Sequence, residues 1–100
     1  MDTICSFEKI KDCLSPVFAK YGVKRAVLFG SYGKGSATEK SDVDLLVDSG
    51  LRGLRFVGLM EDAREALGGK EVDIFDVTHI EKGSLVDTEI MKTGVLLYEE

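Results

Sequence analysis

The feature that most constrains this chain is an apolar run that breaks into glycine and is answered, a short loop later, by two acidic residues inside a second apolar run. Val27-Leu28-Phe29 leads into Gly30-Ser31-Tyr32-Gly33-Lys34-Gly35, and after a polar loop over 36–40 comes Ser41-Asp42-Val43-Asp44-Leu45-Leu46-Val47. Short apolar runs bounded by glycine and polar clusters read as strands, so the stretch predicts two strands joined through a glycine-rich bend. A strand alternates faces at every residue. Asp42 and Asp44 therefore share one face, with Cα atoms roughly 6.6 Å apart, while Val43 and Leu45 point into the core. At that separation two carboxylates repel by about 0.6 kcal/mol in water and about 2.5 kcal/mol at an effective dielectric near 20. Aspartate is a poor strand former besides. A hard divalent cation removes the repulsion: Mg²⁺ is typically held by one or two carboxylates plus substrate phosphates, and ion pairs roughly 4 Å apart serve in-line displacement at phosphorus. The bend supplies the complementary half, because successive backbone N–H groups, the Ser31 hydroxyl and the Lys34 ammonium suit a phosphate. A serine-glycine turn alone is most often only a turn. The aspartate pair that follows it makes a metal-nucleotide site the better reading.

Gly30-Ser31, Gly35 and Ser41-Asp42-Val43-Asp44-Leu45 together resemble the signature of the DNA polymerase β-like nucleotidyltransferases and, in so short a chain, their minimal bacterial and archaeal branch, the MNT domains. The likeness spans nearly the whole chain. The usual motif has Ala and Arg where this sequence has Gly33 and Lys34; lysine keeps the charge but lacks the bidentate fork of arginine. The resemblance implies an α/β fold with a small mixed β-sheet and helices packed on one face, as a single nucleotidyltransferase domain over residues 1–100. It implies transfer of a nucleoside monophosphate, AMP from ATP, to an acceptor hydroxyl with release of pyrophosphate. Two Mg²⁺ ions would be held by Asp42, Asp44 and a third carboxylate on the next strand, where Asp73 in Val72-Asp73-Ile74 matches and Asp76 is the rival. Asp73 would also help to lower the pKa of the acceptor hydroxyl. Gly30, Ser31, Lys34 and Ser41 would hold the nucleotide. Members of this branch often act as antitoxins that modify a helical HEPN toxin with AMP, which makes such a protein the expected partner. The alternative from a different class is a module that neutralises a helical partner by binding alone.

The rest of the chain fits this frame. Phe7, Ile10, Leu14, Val17, Phe18 and Tyr21 recur at helical spacing, and because the stripe continues in phase through Pro16, one kinked helix is expected rather than two with Ser15 as a cap. A strand over 24–29, a strand over 41–47, a helix carrying Phe56, Leu59, Met60, Ala63 and Leu67 and stopped by Gly68-Gly69, and a strand over 70–77 follow. Gly53 and Gly58 weaken the early part of that helix, and Arg52 and Arg55 read first as a solvated face. In the third strand Val72, Ile74 and Asp76 take one face and Asp73 and Phe75 the other. A short helix over 84–92 and a final strand over 95–98, at a sheet edge, complete the pattern.

With 44% hydrophobic residues in 100, one core is expected and no second lobe. A net charge of −5 argues against a nucleic-acid backbone as partner. No apolar run is long enough for a membrane span, and Met1-Asp2-Thr3 lacks the basic start of a signal peptide, so a cytoplasmic setting is expected. Cys5 and Cys13, eight apart on one helix, are too far apart for a disulfide. His79, the one histidine, reads as a surface or capping residue. Self-association is left open.

Overall fold

The N-terminal stripe forms a single helix, α1 (Phe7–Tyr21), which runs through Pro16. Ser15 does not cap a second helix. Its hydroxyl donates instead to the Lys11 carbonyl at 2.6 Å, one turn back, a contact that tends to bend helices. Ile10, Leu14 and Phe18 are fully buried, each stabilising the fold by about 1.5–3 kcal/mol, and Phe7, Cys13, Val17 and Tyr21 flank them. In this computed structural model residues 7–33 and 42–100 are described, Ser31 and Gly33 by their backbone alone.

After α1 come β1 (Arg25–Phe29), a one-turn helix α2 (Gly30–Gly33), β2 (Val43–Asp48), α3 (Leu54–Ala66), β3 (Val72–Asp76), a 3-10 turn (Val77–His79), α4 (Leu85–Thr93) and β4 (Val95–Glu99). The strands lie in the order β3-β2-β1-β4. β1 is antiparallel to both β2 and β4, while β2 and β3 are parallel. A parallel pair needs a crossover, and α3 is that crossover. Ala26, Leu28, Val43, Leu45, Val47, Val72, Ile74 and Leu97 form the inner face of the sheet, in one cluster with the buried residues of α1 and α3.

Gly58, expected only to weaken α3, has a packing role. A Cβ there would stand 2.8 Å from the Tyr21 hydroxyl. That hydroxyl donates to Asp62 at 2.8 Å, and Lys20 pairs with the same carboxylate at 3.0 Å, so α1 and α3 are clamped along their shared edge. Past Leu67, Gly68 and Gly69 both take positive φ, and the Gly69 amide donates to the Arg64 carbonyl at 2.9 Å, which closes the helix as expected.

The two longer helices pack on one face of the sheet, and α4 lies on the other side. A Cβ on Gly94, at the end of α4, would meet Val27 Cγ1 at 3.0 Å, and Val27 belongs to the face opposite Ala26 and Leu28. Ser84 caps α4 by accepting from the Asp87 amide at 3.1 Å, while Asp87 reaches back to the Gly83 amide at 2.8 Å. None of the residues of α4 is buried. Among the described residues, no helix is long and apolar enough to cross a membrane.

Candidate active site

The alternation predicted for the second strand is observed: Val43, Leu45 and Val47 are buried and Asp44, Leu46 and Asp48 are half-buried. β2 begins at Val43, so Asp42 stands just ahead of the strand, exposed, rather than within it. In the parallel register Asp44 lies directly opposite Asp73. Residues in register on neighbouring strands point to the same face, which brings Asp73 beside Asp44 on the side away from α1 and α3.

Asp76, the rival, is on the inner face and only 1% exposed. Its carboxylate accepts from the Ser49 amide and hydroxyl at 3.2 and 2.7 Å, and from the Thr78 amide and hydroxyl at 3.1 and 2.6 Å. Despite burial, these hydrogen bonds hold its pKa down at about 2. Its acceptor capacity is spent on joining the segments that follow β2 and β3. His79 is exposed and stands edge-on to Phe56, with ring centroids 6.4 Å apart. Cys13 is a free thiol at the edge of the core, and Cys5 lies outside the described residues.

Asp44 is the electrostatic centre of the face. Burial pushes its carboxyl up to about 6, with the charges of Asp73, then Asp42, then Glu89 adding to the effect, together with a hydrogen bond between the Asp44 and Asp73 carboxyl groups. Glu89 comes from α4 and was not singled out from the sequence. Among the described residues, no three acidic, histidine or cysteine side chains already converge as a cage for a metal ion. The carboxylate pair nevertheless fits Mg²⁺, which needs one or two carboxylates and takes further ligands from substrate phosphates. A cation between Asp44 and Asp73 would relieve the mutual repulsion that raises the Asp44 pKa.

The glycine that ends β1 has a packing role that the sequence pattern does not show. Gly30 takes φ +74°, and a Cβ on it would stand 2.6 Å from Asp44 Oδ2. Only a bare Cα lets the carboxylate lie there. Its amide donates to the Thr93 hydroxyl at 2.8 Å. Gly30 thus makes room for Asp44, a packing role beside the one expected of it at the nucleotide. Tyr32, buried with the core, anchors α2, and the Lys70 ammonium sits 5.5 Å over its ring. Ser31 is placed in α2 by its backbone, while Lys34 and Ser41 lie outside the described residues. Sequence pattern gave no hint of Thr93, whose contact spans 63 positions.

A four-stranded mixed sheet that sets two carboxylates side by side on adjacent parallel strands, beside a strand closed by a glycine turn, defines an α/β protein whose carboxylate pair has the chemistry that suits a hard cation. The chain belongs to the family described as Polymerase beta, Nucleotidyltransferase, whose model matches residues 8–100. It is 40% identical over 77 residues to the Methanocaldococcus jannaschii protein named "Putative protein adenylyltransferase MJ0435", covering 75% of this chain and 82% of that protein. It is 41% identical over 68 residues to the protein adenylyltransferase MntA of Thermococcus cleftensis, covering 64% of this chain and 66% of that one. Among solved structures it is similar to a toxin-antitoxin with AMP-PNP, at a TM-score of 0.75 and 20% identity over 90% of this chain and 73% of the other. It is also similar to a chain of the tri-AMPylated Shewanella oneidensis HEPN toxin in complex with MNT antitoxin, with a TM-score of 0.70, 17% identity and coverage of 94% and 73%. At these identities the structural likeness establishes the fold.

Proposed function

We propose that this protein is a metal-dependent protein adenylyltransferase that moves AMP from ATP to a hydroxyl of a helical HEPN-type partner and so acts as its antitoxin, in the cytoplasm. The observation that carries the reading is Asp44 lying in register with Asp73, with Asp42 near enough to add to the field on it. The relatives named as protein adenylyltransferases support the choice of AMP and of a protein acceptor. In the reaction the acceptor oxygen bonds to the α-phosphorus, the bond from that phosphorus to the bridging oxygen breaks, pyrophosphate leaves and the hydroxyl proton passes to water. Asp42, Asp44 and Asp73 would hold Mg²⁺, which supplies charge neutralisation for the triphosphate and the leaving group. Asp73, exposed where Asp44 is half-buried, is the carboxylate open to an acceptor and orients its hydroxyl. The bend that begins at Gly30, with Ser31, Lys34 and Ser41, holds the phosphates. Catalysis is by positioning and electrostatic preorganisation, with no covalent enzyme intermediate.

The direct test is to incubate the protein with Mg-ATP and a helical HEPN-type protein as candidate partner, then weigh that partner by mass spectrometry. Gain of AMP by the partner, absent with Asp44→Asn, is the expected result. Inhibition of the partner to the same extent by both forms, without gain of mass, would replace enzymatic transfer with neutralisation by binding.

Gly30→Ala has a definite expected outcome under this reading. A positive φ costs an alanine about 1–2 kcal/mol, which lowers the melting temperature of a domain this size by roughly 5–15 °C. The new methyl group also displaces Asp44 Oδ2, so Mn²⁺ affinity in a calorimetric titration should fall with it. Unchanged Mn²⁺ affinity in a folded variant would show that the position of Asp44 does not matter to the cation.

A further inference from the structure

We propose that Thr93 is a positioning residue of this site: its hydroxyl clamps the Gly30 amide and thereby seats the bare Cα of that glycine against Asp44. The inference rests on the reading of Asp44 as a cation-holding carboxylate. Three contacts in series carry it. The Thr93 hydroxyl donates its proton to the Glu89 carbonyl at 2.8 Å, which fixes the rotor and leaves a lone pair aimed outward. That lone pair accepts from the Gly30 amide at 2.8 Å. Gly30 then stands where any side chain would strike Asp44 Oδ2.

The second argument concerns what fixes α4. None of its residues is buried, so hydrophobic burial alone does not set its position on the sheet. The Thr93–Gly30 hydrogen bond is a directional tie between this helix and the end of β1, and the close approach of Gly94 to Val27 is a second constraint beside it. Once α4 is tied there, Glu89, one turn before Thr93 and on the same side of the helix, stands near enough to Asp44 to act on its charge. The helix farthest from the sequence motif thus both fixes the glycine and adds a carboxylate to the field around the site.

The ordinary alternative is that Thr93 merely bonds back to the preceding turn, as threonine often does near helix ends. Two measurements on the whole chain, without nucleotide or partner, separate the two. One is hydrogen exchange of the Gly30 amide by NMR; the other is Mn²⁺ affinity by calorimetry. In Thr93→Val the Gly30 amide should exchange at least about tenfold faster and Mn²⁺ should bind roughly three- to tenfold more weakly, the range lost with a hydrogen bond one step removed from a ligand. Thr93→Ser, which keeps the hydroxyl, should restore both. Wild-type values for both in Thr93→Val, or a serine variant as defective as the valine one, would overturn the proposal. If the valine variant does not fold, the wild type decides: a Gly30 amide that exchanges as fast as an open loop amide removes the clamp. A wild type that protects Gly30 but binds no Mn²⁺ would instead sink the reading of Asp44, leaving the clamp as a purely structural tie.

Discussion

Asp44→Asn will lower AMP transfer by about a thousandfold or more while making the metal-free protein more stable. The loss follows from the number of things the carboxylate does at once. It is the half-buried member of the pair, it lies against Gly30, and it faces Asp73 across the parallel ladder. A catalytic cation contributes several kcal/mol of charge stabilisation, and every 1.36 kcal/mol is a factor of ten in rate. The gain in stability follows from the same surroundings. Burial, Asp73, Asp42 and Glu89 all disfavour the charged form of Asp44 and lift its pKa to about 6. At pH 7 the folded, metal-free protein carries that charge at a cost the unfolded chain does not bear. Discounted for the reach of solvent to a half-buried group, removing it should stabilise the fold by on the order of 1 kcal/mol, or about 4–8 °C in melting temperature. The check is a pair of melting curves in EDTA with a transfer assay in Mg²⁺. A variant that is less stable than the wild type in EDTA would mean that Asp44 is held by favourable contacts and is not waiting for a cation. A variant that still transfers AMP would remove it from the chemistry.

The opposite signs of those two effects are legible in the sequence as far as the strand pattern reaches. Period-two alternation placed Asp44 on the polar face and Val43, Leu45 and Val47 on the core face, and the same alternation separated Asp73 from Asp76. Once β2 and β3 pair in parallel, as a helical crossover requires, the strands carrying Asp44 and Asp73 must be neighbours. The register that sets the two residues opposite one another is fixed by the pairing of the whole ladder, Val43 with Val72 through Val47 with Asp76. What pattern reading cannot reach is contact between elements far apart in the chain. α4 has an ordinary capped-helix sequence, and nothing in its nine residues marks Thr93 as the partner of Gly30, 63 positions away, or Glu89 as a neighbour of Asp44. Local reading does not reach the packing of Gly30 either, since a glycine at a bend offers both an amide and an absence of side chain. The hydrogen bond to Thr93 takes the first, and the carboxylate of Asp44 uses the second. Gly58 shows the same limit, because its neighbour Tyr21 comes from another helix.

Asp76 provides the second large effect, and it concerns stability instead of chemistry. Asp76→Ala should destabilise the fold by about 3 kcal/mol, because it removes a charged acceptor from four hydrogen bonds and leaves the Ser49 and Thr78 amides unpaired beside the core. For a domain of this size that corresponds to a fall of roughly 12–24 °C in melting temperature. The dependence on pH supplies an independent sign. The carboxylate has a pKa of about 2 in the folded protein against an ordinary 3.8, so its contribution is fully present above the unfolded value and is lost as the pH falls through about 2. The gap in stability between wild type and Asp76→Asn should therefore shrink by roughly 2 kcal/mol between pH 5 and pH 2, a comparison in which the other carboxylates cancel. Denaturant titrations at several acidic pH values measure that gap. At neutral pH and well below its melting temperature, Asp76→Asn should retain AMP transfer to within a few fold, since Asp76 lies on the inner face and Asp73 on the outer one. If the folded Asp76→Asn protein instead lost activity as Asp44→Asn does, Asp76 would be the third carboxylate of the site and the outward face of β3 would have been assigned to the wrong acid.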